Sequence, residues 1–462
     1  MIKARDLTAY LNPPGQSSVH VSEGNFIDIG ENEFVGLVGE SGSGKSQLAL
    51  SLSGLNNDNY VPIHGEIDYT FTKEKSENIS FHYSLGKRKK SYISLKESFK
   101  KNNIYGKYIG MMFQNPSDCF NPYWSIKQHF DEIKTKHNYE SQQFNLFRNQ
   151  VLEILNIPDI LERSTYELSG GQKQRLMIAL VLVQKPRLMI GDEIGTGIDL
   201  SIKRDIYNYL LEIKSSTLEN LKDWSPSLLL ISHDIGFTIK IVDELYIMYR
   251  GTIVQKITVN DGKGNSLSIN ELLDSNKYFL HPYTRALLSS VISRTYSINV
   301  DVPDLTIRNQ NKCPFSNGCE HKMSTGECES DFPKRMIKNK DWVRCVRSES
   351  GINYNNIDLG DFDWVEGWEH NKDESDKIVL SVDFKGHKIR TGKSTFYIKP
   401  YKFKLKPNQI LGLIGESGSG KTTFGKILAS ASGYIPNVPG TKIDYFDYDG
   451  LKYDYLNYKL RR

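Results

Sequence analysis

The chain has no apolar run approaching the about 18 residues needed to cross a bilayer, and its opening, Met1-Ile2-Lys3-Ala4-Arg5-Asp6, has no signal-peptide core. These two absences predict a cytoplasmic protein. An excess of one charge is also missing. With 59 Lys and Arg against 55 Asp and Glu, bulk electrostatics give no reason to expect nucleic acid as a partner. Lys87-Arg88-Lys89-Lys90 reads as a solvated insertion loop. Cysteine is scarce, and four of the five cysteines, Cys313, Cys319, Cys328 and Cys345, share one short stretch. In a cytoplasmic chain such a gathering suggests metal more than disulfide. The spacing C-x5-C-x8-C-x16-C has no C-x2-C knuckle. It leaves zinc, an iron–sulfur cluster and unliganded thiols all open. Cys119 stands apart as an ordinary thiol.

The length suits about three domains of ~150 residues, and two stretches of it repeat. Gly39-Glu40-Ser41-Gly42-Ser43-Gly44-Lys45-Ser46 recurs as Gly415-Glu416-Ser417-Gly418-Ser419-Gly420-Lys421-Thr422, followed by Gln47 and Thr423 respectively. Both fit G-x-x-x-x-G-K-[ST], and both follow an apolar strand, Phe34–Val38 and Ile410–Ile414. The glycines let backbone N–H groups wrap phosphates. The lysine adds positive charge, and Ser46 or Thr422 supplies a hydroxyl for magnesium.

After the first loop the chain reads on. Met111-Met112-Phe113-Gln114 is an apolar strand that ends on a glutamine. Leu168-Ser169-Gly170-Gly171-Gln172 opens a helix over 173–183, placing small residues and free donors at a helix N-terminus. Leu188-Met189-Ile190-Gly191-Asp192-Glu193 ends a buried strand on two carboxylates, and Leu228–Ser232 delivers His233 in the same way. In open α/β sheets ligands bind at the carboxyl ends of strands, so these groups should converge.

This ordered set resembles the nucleotide-binding domain of ABC ATPases, an α/β P-loop NTPase fold with a helical subdomain. The resemblance implies ATP and Mg²⁺ as ligands. Lys45 would bind the β- and γ-phosphates, Ser46 and Asp192 would hold magnesium, Glu193 would polarise the attacking water, His233 would contact the γ-phosphate, and Gln114 would sense metal and water. The turn after the glutamate departs from the family by reading Ile194-Gly195-Thr196-Gly197-Ile198 before the retained Asp199. For the adenine-stacking aromatic, Tyr10 is off by one, and Phe384 fits the second copy.

His281-Pro282-Tyr283-Thr284-Arg285-Ala286-Leu287-Leu288 resembles the start of the C-terminal extension in ATPase subunits of oligopeptide, dipeptide and nickel importers, and the four cysteines echo its tail. Some members of that family carry a [4Fe-4S] cluster there. The expected domains are a first cassette over 1–280, the extension over 281–346, a connector over about 347–376 with which the scattered Trp342, Trp364 and Trp368 are read, and the start of a second cassette over 377–462. The second copy stops before its own glutamine, LSGGQ, carboxylates and histidine. Cassettes of this family pair head to tail, so the resemblance implies a second nucleotide-binding domain from a homodimer or another chain. It also implies membrane permease subunits and a place on the inner face of the cell membrane; Phe120, Tyr123 and Trp124, after Gln114, are candidates either for the permease contact or for packing. Two other readings stand beside this one: a soluble ABC ATPase acting on ribosomes or DNA, and a split-gene product with little activity.

Overall fold

A computed structural model describes residues 1–11, 19–56, 60–72, 78–85, 90–198, 200–215, 224–260, 266–274, 278–293, 312–319, 321–324, 326–330, 335–338, 340–348, 378–391, 394–407, 409, 411–413, 421–428, 441–446 and 452–454. In the first part of the chain the elements are β1 (Ile2–Leu11), β2 (Val19–Ile29), β3 (Phe34–Val38), α1 (Lys45–Ser53), β4 (Tyr60–Thr72), β5 (Asn78–Leu85), α2 (Lys90–Lys101) and β6 (Ile109–Met112). There follow α3 (Ile126–Lys136), α4 (Ser141–Ile154), α5 (Gly170–Leu182), β7 (Leu188–Asp192), α6 (Leu200–Lys214), β8 (Ser227–Ser232), α7 (Ile235–Thr238), β9 (Glu244–Tyr249) and β10 (Thr252–Thr258). Then come α8 (Ile269–Leu273), α9 (Pro282–Ser293), α10 (Glu327–Ser330), β11 (Arg335–Lys338) and β12 (Asp341–Val343).

The main sheet runs β11-β12-β10-β9-β3-β8-β7-β6. From β9 through β3, β8 and β7 to β6 its strands are parallel, and β10, β12 and β11 extend it antiparallel. Every residue of β3, β7 and β8 is buried, as expected for parallel strands covered on both faces. Strand alternation sorts β3. Val35 and Leu37 join a core with α1, α2 and a second, antiparallel sheet of order β2-β1-β4-β5, while Phe34 and Val38 join the core with α3 to α6. The carboxyl ends of β3, β7 and β8 therefore lie side by side, and each hands the chain to a loop at the same edge.

The later part is described by itself: β13 (Leu380–Phe384), β14 (His387–Thr391), β15 (Ser394–Ile398), β16 (Tyr401–Leu405), α11 (Lys421–Leu428), β17 (Lys442–Phe446) and β18 (Lys452–Asp454). Its sheet runs β16-β13-β17-β18, with β14 and β15 a separate hairpin. It repeats the first part in detail. Tyr69 of β4 donates to the Leu52 carbonyl at the end of α1 at 2.7 Å, and Tyr445 of β17 donates to the Leu428 carbonyl at the end of α11 at 2.7 Å.

Three expectations are corrected here. The strand expected before the second loop is absent among its described residues: 411–413 belong to no strand, and Leu411 and Leu413 are exposed. Among the described residues no strand pairs with it as β8 and β9 pair with β3. Phe384 is fully buried against Phe424 at 5.5 Å, in a core with Val382, Ile427 and Ile443, so its ring faces are not open to a base. Trp342 lies on β12 in the main sheet, edge-on to Tyr246, rather than marking a loose connector; Trp364 and Trp368 lie outside the described residues.

Candidate active site

The phosphate loop joins β3 to α1 in a conformation that glycine permits. A Cβ on Gly39 would stand 2.1 Å from the Met248 carbonyl oxygen, and Gly44, at φ 98°, is the left-handed cap from which α1 starts. Lys45 is buried, and its ammonium donates to the carbonyls of Gly39 at 2.9 Å and Glu40 at 2.7 Å. Burial lowers its pKa, opposed by Glu193, Asp192 and Glu40. The next residue, Ser46 in the first turn of α1, donates from Oγ to Asp192 Oδ1 at 3.0 Å at the end of β7. Burial raises the Asp192 pKa, and the Ser46 hydroxyl offsets part of that. A hydroxyl and a carboxylate meeting beside a phosphate-type loop form the hard oxygen donor set that suits Mg²⁺.

Glu193 has φ 52°, a left-handed conformation rare for a residue with a Cβ. Its N–H still reaches the Ile231 carbonyl at 3.0 Å, so the strand ladder holds while the side chain turns away. Its carboxylate is gripped by three groups. Gln114 Nε2 donates to Oε2 at 2.9 Å, Thr196 Oγ1 to the same oxygen at 3.4 Å, and His233 Nδ1 stands 3.4 Å from Oε1. Glutamine, carboxylates and histidine, expected from three separate strand ends, thus come together.

Ser169-Gly170-Gly171-Gln172 is placed elsewhere. Ser169 caps α5 in a reciprocal box with Gln172, a cap worth about 1 kcal/mol, and the pair's side-chain hydrogen bonds are to each other. Open space surrounds Gly170, so this helix start faces outward. Asp199, Gly415 to Gly420 and the Thr422 side chain lie outside the described residues. Lys421 and Thr423 are half-buried at the start of α11, and Gln47 is half-buried on α1. Phe120 is buried and edge-on to His129 at 5.9 Å, Trp124 packs on the same ring at 5.5 Å, and Tyr123 is 92 % exposed.

The ABC transporter family model matches residues 25–195 and 398–438, so each matched segment carries one phosphate loop. The oligopeptide transport ATP-binding protein OppD of Lactococcus lactis subsp. cremoris is 33% identical over 290 residues, spanning 61% of this chain and 74% of that one. This chain belongs to the ATP-binding proteins of ABC transporters. The OppD of Salmonella typhimurium is 28% identical over 334 residues, 70% of this chain and 87% of that one. A solved dimeric, post-hydrolysis structure of the ATP-binding cassette MJ0796 aligns with 56% of this chain and 99% of that one, at 18% identity and a TM-score of 0.43. As an ABC transporter ATP-binding protein, the chain is a transport-coupled ATPase that binds ATP and Mg²⁺. Among its described residues no helix is long and apolar enough to cross a membrane.

Lys203 and Tyr283 of this ABC ATP-binding protein were given no role from the sequence, whereas the four clustered cysteines were. Lys203 pairs with Asp234 next to His233 and lies 4.4 Å over the Phe237 ring, bracing the histidine loop. Tyr283, fully buried on α9, accepts a hydrogen bond at 3.2 Å from the backbone N–H of Glu40 inside the phosphate loop. The HPYTRALL segment marked this region, but only the fold could show where its tyrosine reaches. Finally, all four clustered cysteines line one small pocket with His281, Ser316 and Arg347. Burial pushes the Cys313 thiol up to about 12 and the Cys345 thiol up to about 11. Ser316 Oγ is buried there with no hydrogen-bond partner among the described residues, as a pocket shaped for a further occupant would leave it.

Proposed function

We propose that this chain hydrolyses ATP to energise an importer of peptides or related small solutes, nickel included, from the cytoplasmic face of membrane permease subunits. The gathering of Ser46, Asp192, Glu193, Gln114 and His233 beside Lys45 carries the reading of the chemistry. The names of the relatives support the cargo class. In this reading residues 1–280 are the first cassette, 281–346 its extension, 347–376 a connector and 377–462 part of a second cassette, and no nucleic acid takes part.

Lys45 exchanges the carbonyls of Gly39 and Glu40 for the β- and γ-phosphates of ATP. Ser46 and Asp192 hold the magnesium ion, whose charge, when bound, offsets that of the phosphates. Glu193 accepts a hydrogen bond from the attacking water and orients it. Gln114 and His233 fix its two carboxylate oxygens from opposite sides, and exposed His233 reaches the γ-phosphate. The water oxygen bonds to the γ-phosphorus as the bond to the ADP oxygen breaks, and the proton that the water sheds leaves on the released phosphate or to solvent. Ser169 to Gln172, facing outward at a helix N-terminus, cover a nucleotide held by another cassette. In this reading the Glu193 site draws its signature helix from another cassette.

We assign the thiol pocket to a [4Fe-4S] cluster. Four thiols gathered in one pocket are the donors that such a cluster takes, although among the described residues no group of three donors is set to hold a metal ion. Cys313, Cys319, Cys328 and Cys345 would be its ligands, as thiolates. When bound it would supply one-electron redox chemistry and tie these segments together.

Co-expression with candidate permease subunits tests the transport role. The chain should sediment with membranes that contain them and hydrolyse ATP faster when peptide is supplied. A chain that stays in the supernatant with peptide-independent turnover would contradict it.

A further inference from the structure

The peptide unit between Gly39 and Glu40 is held at both ends. Its carbonyl accepts the Lys45 ammonium at 2.9 Å, and its N–H donates to Tyr283 Oη at 3.2 Å. The orientation of this one peptide plane therefore fixes both where Lys45 is held and how the phosphate loop leaves β3. A hydrogen bond at one end of a peptide polarises the other, so Tyr283 also strengthens the carbonyl that holds the lysine.

The same tyrosine is tied to the thiol pocket. Its backbone N–H donates to His281 Nδ1 at 3.1 Å, which leaves the ring proton on Nε2. Nε2 lies 3.8 Å from Cys313 Sγ, within reach for an N–H···S hydrogen bond. Gln255 Oε1 accepts the His281 backbone N–H at 2.8 Å and locks this segment to β10. Phe315, two residues after Cys313, packs on the Tyr283 ring at 5.6 Å and on Tyr249 at 5.4 Å. His281 and Tyr283 are both fully buried, so movement at Cys313 has no slack to dissipate into.

We propose that Tyr283 is a positioning residue for nucleotide binding, and that through His281 it links the state of the thiol pocket to the affinity of the phosphate loop for ATP. This rests on the reading of residues 39–46 as the ATP loop. The linkage is reciprocal: whatever fills the pocket and firms Cys313 favours nucleotide, and nucleotide favours the filled pocket.

The test is a fluorescence titration of the full chain with a methylanthraniloyl-labelled, non-hydrolysable ATP analogue and Mg²⁺. Tyr283→Phe keeps the ring and removes the hydroxyl, and should weaken binding about three- to tenfold, with KM for ATP rising and kcat unchanged. Tyr246→Phe, which also loses a buried hydroxyl bond, to the Asp28 N–H at 3.1 Å, should bind as the parent does. Cys313→Ser should weaken binding in the parent background and add nothing in the Tyr283→Phe background. Equal affinity in Tyr283→Phe and the parent, or a full Cys313→Ser effect in both backgrounds, overturns the proposal. Lys45→Ala separates it from the underlying reading, because binding undiminished there would instead refute residues 39–46 as the ATP loop.

Discussion

Gln114 Nε2 donates to Glu193 Oε2 at 2.9 Å, joining a loop after β6 to the end of β7. The amide grips the carboxylate that is to orient water, so a change at position 114 is felt at the reacting centre. Gln114→Ala should lower kcat about tenfold with little change in KM, because a hydrogen bond to a charged group is lost while the phosphate grip stays. Steady-state kinetics check this, and a change in KM alone would contradict it.

Glu193→Gln keeps the shape and removes the charge. Turnover should fall at least about a hundredfold while the labelled ATP analogue still binds. Parent-like turnover in this variant would remove Glu193 from the mechanism.

Much of this site was legible in the sequence because its strands are central and parallel. Burial on both faces writes them as unbroken apolar runs, such as Leu188–Ile190 and Leu228–Ile231, and their last residues can be read as delivered to one edge. The rest depended on tertiary partners. Leu411-Gly412-Leu413 reads like Val35-Gly36-Leu37 yet forms no strand among the described residues. Phe384 has a plausible position in sequence but alternates inward. The Tyr283 contact spans 243 positions, and no local pattern announces it.

Ser46 and Asp192 meet at 3.0 Å, so either loss should act through magnesium. Ser46→Ala should raise the Mg²⁺ concentration that half-saturates turnover about tenfold at fixed ATP. Unchanged magnesium dependence would contradict the assignment.

Away from the site, Lys256 and Glu244 form a buried ion pair at 2.7 Å, each side chain 6% exposed. Burial, with Glu33 adjacent, pushes Glu244 up to about 7 despite the pull of Lys256. A carboxyl whose folded pKa lies above its unfolded value near 4.5 adds stability below that value, and the contribution is lost as pH rises through about 7. The stability of the parent relative to Glu244→Gln should therefore decline between about pH 4.5 and 7 in denaturant unfolding. A flat difference would contradict this. Lys256→Met removes the partner that pulls Glu244 down, so the decline should extend to higher pH in that variant.

If the thiol pocket holds a four-iron cluster, protein purified without oxygen should carry about four iron and four sulfide per chain, and Cys328→Ser should carry far less. Zinc in their place would refute the assignment.

The central claim, that Glu193 works in a site completed by another cassette, is tested most directly by ATP turnover per chain as a function of chain concentration, with Glu193→Gln as control. The account predicts specific activity that rises with concentration and vanishes in the variant. Specific activity that stays constant on dilution to nanomolar chain, and is abolished by Glu193→Gln, would show a self-sufficient monomer and contradict it.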